Sequence, residues 1–375
     1  MTAFDRDFTM TIDGQGVAGA ARMPVLNPAT ETAVASAPLC SEAELDAAVA
    51  AARTAFPGWR ATPIETRRAA VRRIGEVIGA KMADFTRLFT LEQGRPLAKA
   101  SEELMGAAFW AGHVATQDIP VLVSEDTPER RAETRRVPIG VVGAIVPWNF
   151  PMLLGVWKIA GALLTGNTLV IKPSPYTPLT ILKLGELMRP HLPPGVLNVV
   201  SGGDALGPWM TAHPGIDKIS FTGSTATGKR VMASAAQSLK RITLELGGND
   251  AAIVLGDVDV AAVAGPLFWS AFVNSGQVCI ATKRLYVHDT VYDALAAELT
   301  AIAERVRMGD GLAPGSELGP IQNRPQYDRV RALIADARDA GLRFLTGGDV
   351  PDGKGYFIPV TLVDNPPEDS RVVAE

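Results

Sequence analysis

From Ile139 onward the chain alternates short apolar runs with longer helical stretches, and few folds accommodate that texture. The strand-like runs are residues 141–146, 168–171, 196–200, 218–221 and 243–246, with helices expected over 180–189, 205–212 and 225–238. Strands and helices alternating at this spacing pair in parallel through crossover connections, so the pattern predicts a doubly wound α/β sheet. A second cycle follows, with strands near 252–254 and 284–287 and helices near 260–274, 291–307 and 326–340. Two consecutive α/β units with a junction near Gly247-Gly248 are expected. The length of 375 residues, at about 150 residues per domain, fits two or three domains.

The first third reads instead as mostly helical. Ser41-Glu42-Ala43-Glu44 sets a hydroxyl at a helix N-cap with a carboxylate one turn on, a capping-box pattern. It opens an Ala-rich run over 45–56. A second helix is expected over 64–93 with a break near Ala80, stopping at Gly94 with Pro96 beyond, and a third over 99–116. Residues 124–136, SEDTPERRAETRR, are the densest charge cluster in the chain. Glu125, Asp126, Glu129 and Glu133 alternate with the arginines, which predicts an exposed polar hairpin or linker rather than a nucleic-acid patch.

Composition narrows the class. Lys and Arg number 36 against 40 Asp and Glu, a net charge of −4 that lacks the basic footprint of a nucleic-acid binder. An apolar share of 47% supports a large core, and a charged share of 20% argues against long disordered stretches. Two cysteines, Cys40 and Cys279, cannot staple a chain this long, which points to a reducing, cytoplasmic setting. The start, MTAFDRDFTM, has no basic-then-apolar run and does not read as a signal peptide. The most apolar region, 137–172, is interrupted by Pro147, Asn149, Pro151, Lys158 and Asn167. It therefore falls short of the roughly 20 apolar residues that a bilayer span needs, and neither a membrane partner nor a metal is expected.

Five segments could carry chemistry. Cys279 follows Asn274-Ser275-Gly276-Gln277-Val278 at the end of an apolar helix, where small, turn-prone residues bring amides near the sulfur and leave room for a substrate. From position alone, a lone cysteine is more often an inert core residue. Glu245 stands in Ile242-Thr243-Leu244-Glu245-Leu246, before Gly247-Gly248. On a buried strand end such a carboxylate would suit a general base; on an edge strand it would simply face water. Pro147-Trp148-Asn149-Phe150-Pro151 follows a strand, and its prolines restrict the backbone on both sides of Asn149. A rigid amide donor there could stabilise an oxyanion, the alternative being a Pro-rich turn around a packed Trp.

The remaining two segments could hold an anion. Gly223-Ser224-Thr225-Ala226-Thr227-Gly228-Lys229 opens a helix after a strand, a candidate phosphate cradle. It also matches a Walker A loop, except that Arg230 stands where that motif needs a Mg²⁺-binding hydroxyl. Lys172-Pro173-Ser174-Pro175 closes another strand with a lysine that could contact ribose or phosphate, or lie on the surface before a proline turn.

Taken in order, these five segments resemble the aldehyde dehydrogenase superfamily, and the match runs over essentially the whole chain. The resemblance implies a Rossmann-like coenzyme domain over 1–123 and 138–246, part of an oligomerisation arm over 124–137, and an α/β catalytic domain over 247–375. It implies CoA-independent oxidation of an aldehyde to a carboxylic acid with NAD or NADP, in a homo-oligomer. Cys279 corresponds to the nucleophile that forms a thiohemiacetal and then a thioester, and Asn149 to the oxyanion donor, joined by the backbone N–H of Cys279. Glu245 corresponds to the base that activates the hydrolytic water, and Lys158 to a lysine tied to proton relay. Lys172 matches the residue that holds the adenosine ribose and Ser224 the one at the pyrophosphate, with Trp148, Ser174, Pro175, Gly223 and Gly228 in the same coenzyme-binding segments.

Two departures qualify the resemblance. Many NAD-preferring members carry Glu where this chain has Pro175, which neither accepts ribose hydroxyls nor repels a 2′-phosphate, so NAD and NADP both stay open. The sequence ends at Glu375, where members continue into a Glu-x-Phe-Gly-Pro motif and a further segment; weak activity and doubtful oligomerisation are expected of a chain cut there. Rival readings are an acylating, CoA-dependent enzyme, against which Glu245 speaks, and an impaired remnant that only binds coenzyme. A thiol hydrolase is a minor reading, since none of His113, His191, His213 and His288 adjoins a Cys–His motif. Phe150, Leu154, Trp157, Phe272 and Ile280 suggest an apolar-walled tunnel without specifying the aldehyde.

Overall fold

The structure is a computed structural model and describes residues 3–375. The chain opens with short strands β1 (Met10–Ile12), β2 (Gln15–Val17), β3 (Ala21–Asn27) and β4 (Thr32–Leu39). Four helices follow, α1 (Glu42–Ala61), α2 (Ile64–Ala80), α3 (Met82–Gln93) and α4 (Leu97–Val114), then a hairpin of β5 (Leu122–Asp126) and β6 (Arg131–Thr134). The alternating region comprises β7 (Val141–Ile145), α5 (Pro151–Leu164), β8 (Thr168–Lys172), α6 (Leu179–Met188), β9 (Leu197–Val199) and α7 (Leu206–Ala212). It continues through β10 (Lys218–Thr222), α8 (Thr225–Ala236) and β11 (Arg241–Glu245). Beyond it lie β12 (Asp250–Val254), α9 (Val260–Phe272), β13 (Thr282–Val287), α10 (Asp289–Arg305) and α11 (Arg324–Asp339). The last elements are β14 (Phe344–Thr346), β15 (Leu362–Val363) and α12 (Arg371–Ala374).

These elements divide into two compact units. The first contains the described residues up to Val25, Ala35–Leu88 and Ser101–Glu245. Its sheet has the order β11-β10-β7-β8-β9-β1-β2, with β7 to β11 all parallel and β1 and β2 antiparallel at one edge. From β7 the chain steps through β8 to β9, then returns to the other side for β10 and β11, so a topological switch point lies between β7 and β10. α5 and α6 pack with α2, whereas α7 packs with α1 and α8, which covers both faces of the sheet. Two-sided cover explains why β8 carries the apolar run Leu169-Val170-Ile171 and has every residue buried.

Local chemistry sets several boundaries. Ser41 Oγ accepts the Glu44 amide at 3.3 Å while the Glu44 carboxylate accepts the Ser41 amide at 2.7 Å, so the expected capping box is present at α1. The helix read over 64–93 is two helices, broken after Ala80. The charged segment forms the β5–β6 hairpin, with Arg131 paired to Asp126 at 3.0 Å. The first third is mostly helical, as expected, but not from its start. β1 to β4 precede α1, and β1 and β2 extend the central sheet. β1 and β2 span three residues each, too short to show alternation.

The second unit contains Leu26–Val34, Phe89–Ala100 and the residues from Leu246 onward. In it β12 and β13 pair in parallel, with α9 between them in sequence and α10 packed on α9. Phe268, Leu295, Leu299 and Val254 form its main core. A second cluster, Ile321, Tyr327, Ile334, Tyr356 and Ile358, sits beside α11. Among the described residues no helix is long and apolar enough to cross a membrane, and no cluster of His, Cys, Asp and Glu could hold a metal.

Candidate active site

Parallel pairing points all five strand ends of the first unit the same way, and most of the singled-out residues lie at this C-terminal edge. β7 runs into Val146-Pro147-Trp148-Asn149-Phe150, which bends before α5 begins at Pro151. Trp148, Asn149 and Phe150 are half-buried. Val146 donates to the Lys172 carbonyl at 2.9 Å, tying the segment to the end of β8. β10 ends at Thr222, next to Gly223 and Ser224, and Gly223 donates to the Glu245 carbonyl at 3.0 Å. The registers Ile145↔Lys172 and Thr222↔Glu245 complete the edge. Crevices beside a switch point are where open α/β sheets take their ligands.

The lysines at this edge are unusual. Lys172 is 5% exposed, and among the described residues its Nζ has one hydrogen bond, to the Pro173 carbonyl at 3.4 Å. Burial pushes it down from 10.5 to about 8, partly opposed by Asp204. Lys158, on α5, donates to Ser220 Oγ at 3.0 Å. Burial brings it from 10.5 to about 8 as well; the Glu245 carboxylate opposes the shift and Lys218 adds to it. Glu245 therefore acts electrostatically on Lys158.

Whether the edge suits a dinucleotide can be judged from unsatisfied groups. The Lys172 ammonium has three donors and one long bond. Thr177 Oγ1 and Thr222 Oγ1 are buried without a partner among the described residues. At α8, Ser224 is the N-cap and accepts the Thr227 amide at 3.2 Å, while the amides of Thr225 and Ala226 have no partner among the described residues. A Cβ on Gly223 would stand 2.5 Å from the Phe221 ring, so no side chain fits there. A buried cation, spare hydroxyls and a helix N-terminus suit a ligand carrying hydroxyls and phosphates. Ser174 is buried, Pro175 half-buried and Ser224 exposed; Gly228 is buried and its amide closes the first turn onto the Ser224 carbonyl at 2.9 Å.

Glu245 is exposed, so of the two settings open to it the edge strand is the one found. The reason is topological, because β11 is the outermost strand of the sheet.

In the second unit, Cys279 is half-buried and free. The turn leading to it is left-handed at three successive residues, Asn274 (φ 54°), Ser275 (φ 54°) and Gly276 (φ 75°). Non-glycine residues in that region cost of order 1 kcal/mol each and persist where surroundings over-determine them. Here buried Asn274 Oδ1 accepts Gln93 Nε2 at 3.0 Å and Arg95 Nε at 3.1 Å, and Ser275 Oγ donates to the Gly319 carbonyl at 2.7 Å. Lys283 Nζ donates to the carbonyls of Val278 at 3.2 Å and Cys279 at 3.5 Å. A Cβ on Gly248 would stand 2.8 Å from the Cys279 carbonyl, which explains a glycine just after Glu245.

Residues 17–375 match the aldehyde dehydrogenase family. The chain belongs to that family. A Pseudomonas protein named "Probable aldehyde dehydrogenase" is 43% identical over 98% of this chain and 75% of its own length. Among solved structures, the NAD+ complex of aldehyde dehydrogenase from Bacillus cereus superposes with a TM-score of 0.95 at 32% identity, over 99% of this chain and 77% of that one. An E. coli NADP dependent enzyme also gives a TM-score of 0.95, at 35% identity over 98% and 78%. The fold class expected from the alternating pattern is thus that of aldehyde dehydrogenases.

Within this family member, three contributors had escaped the sequence reading. Gln93 and Arg95 brace the turn before Cys279, and Lys283 gathers the carbonyls after it. Only Lys283 gave a local signal, as a lysine one turn beyond the cysteine.

Proposed function

We propose that this aldehyde dehydrogenase oxidises an aldehyde to the carboxylic acid with NAD+ or NADP+, consuming water and releasing a proton. The observation that carries the reading is the gathering of Asn149, Lys172, Ser224 and Glu245 at the switch-point edge of a doubly wound sheet. The cysteine on its braced turn supplies the second element.

The residues act as follows. The Cys279 thiolate adds to the aldehyde carbon, and the Asn149 side-chain amide and Cys279 backbone N–H donate to the oxygen of the resulting thiohemiacetal. When bound, NAD+ or NADP+ supplies the two-electron acceptor that converts this adduct to a thioester. Glu245, reached by water on its edge strand, takes a proton from the water that hydrolyses the thioester. Lys158 holds positive charge close to that carboxylate and, with its proton loosened to about pH 8, suits passing one on. Lys172, Ser174 and the N-terminus of α8 hold the coenzyme, and Trp148, Pro175, Gly223 and Gly228 shape its bed. With Pro175 in place of a carboxylate, nothing at that position rejects a 2′-phosphate.

We extend the proposal to setting and assembly. Two free cysteines suit a reducing cytoplasm. Leu122, Val123 and Val137 at the β5–β6 hairpin are 50%, 45% and 68% exposed, which suits this arm to meeting another copy. The test is a panel of aldehydes assayed with each coenzyme at equal concentration. Cys279→Ser is expected to abolish oxidation, and Glu245→Gln to give one burst of reduced coenzyme and then stall as acyl-enzyme. Full turnover by Cys279→Ser would overturn the reading.

A further inference from the structure

α5 begins without the usual means of satisfying its first amides. Its N-cap is Phe150, which has no acceptor in its side chain, and its first residue is Pro151. The amides of Met152 and Leu153 point out of the first turn with no intrahelical carbonyl to receive them. The acceptor comes from another helix of the same unit. Glu103, on α4, brings Oε1 to 3.1 Å from the Met152 amide and 3.1 Å from the Leu153 amide, and both donate to it. Glu103 is 5% exposed, so this carboxylate is built into the interior rather than borrowed from the surface. A buried anion at a helix N-terminus is held by two charge-assisted hydrogen bonds and by the helix dipole together.

We propose that Glu103 is a positioning residue for aldehyde oxidation, fixing the start of α5 and through it the Asn149 amide. The proposal rests on the assignment of Asn149 to the oxyanion. Asn149 is suspended between two anchors. On one side, β7 is locked by its pairing with β8 through Ile145↔Lys172. On the other, the first two amide donors of α5 are locked by Glu103. Without the carboxylate the buried Met152 amide and the part-buried Leu153 amide lose this acceptor, and Pro151 has no amide to offer in exchange. The first turn then loosens beside Asn149, while Lys158, farther along and tied to Ser220, keeps its place.

The test compares Glu103→Leu, Glu103→Asp and Glu103→Gln in the full chain. Gln keeps an oxygen of the same reach, Asp withdraws it by one methylene, and Leu removes it. Misplacement of a reacting group by about 1 Å costs on the order of 100-fold, so kcat is expected to fall about 10- to 100-fold in Leu, less in Asp, and to be largely restored in Gln. The KM for coenzyme and the rate of Cys279 alkylation by iodoacetamide should stay at wild-type values. Hydrogen exchange at the amides of Met152 and Leu153 should quicken in Leu and Asp but not in Gln. If Leu proves insoluble, the contrast between Asp and Gln carries the test. Wild-type kcat in Leu or Asp, or a Gln variant as slow as Leu, overturns the proposal alone. A wild-type chain that oxidises no aldehyde with either coenzyme overturns the assignment of Asn149 and this proposal together.

Discussion

Replacing Lys172 with Met should stabilise the protein while weakening coenzyme binding. The ammonium is 5% exposed and, among the described residues, has only the Pro173 carbonyl at 3.4 Å. Its descent from 10.5 to about 8, at about 1.4 kcal/mol per pH unit, puts the cost of the buried cation at about 3 kcal/mol when it is charged. Met has similar length, suits an apolar interior and carries no charge. The sign with pH follows from proton counting. A lysine whose pKa is lowered by folding binds fewer protons folded than unfolded between pH about 8 and 10.5, so wild-type stability rises through that window. The penalty is fully present below it and gone above it.

The Met variant should therefore unfold at a higher denaturant midpoint near neutral pH, by up to about 3 kcal/mol, with the advantage closing as pH rises. Urea titrations of both proteins at several pH values, followed by tryptophan fluorescence, measure this. NAD(P)H titration should show affinity lowered about tenfold or more, since a charged hydrogen bond to ligand is worth about 1.5–3 kcal/mol. A Met variant no more stable than wild type near neutral pH, or an advantage that ignores pH, would refute the reasoning.

Two further outcomes are expected. Iodoacetamide at mildly alkaline pH should label Cys279 and spare Cys40, which is 6% exposed and pushed up to about 12 by burial and by Glu44; peptide mass mapping reads this, and equal labelling would contradict it. Gly140→Ala should lower the thermal midpoint, since Gly140 has φ +136° and an added Cβ would collide with the Asp217 carboxylate that accepts the Val141 amide. A melting temperature equal to wild type would show that this corner yields at no cost.

The legible parts of the fold were those written locally. The runs at β7, β8 and β10 announced themselves because two-sided burial makes such strands continuously apolar. Proline and glycine marked the bends beside Asn149 and Ser224. What stayed hidden depended on distant partners. Three-residue strands such as β1 and β2 exist only because a sheet edge is there to receive them. The exposure of Glu245 followed from strand order, which no run of five residues encodes. Glu103 and Gln93 look like ordinary helical side chains until their partners, Met152 and Asn274, are placed against them.

The turn at Asn274, Ser275 and Gly276 has a bearing on engineering. Because three consecutive residues there adopt positive φ, a combinatorial library spanning them should return a narrow spectrum of survivors, dominated by glycine, asparagine and aspartate, with valine and isoleucine purged. Diversity aimed at changing which aldehyde is accepted would be better spent at Ile280, whose side chain is 73% exposed and whose backbone carries no such handicap.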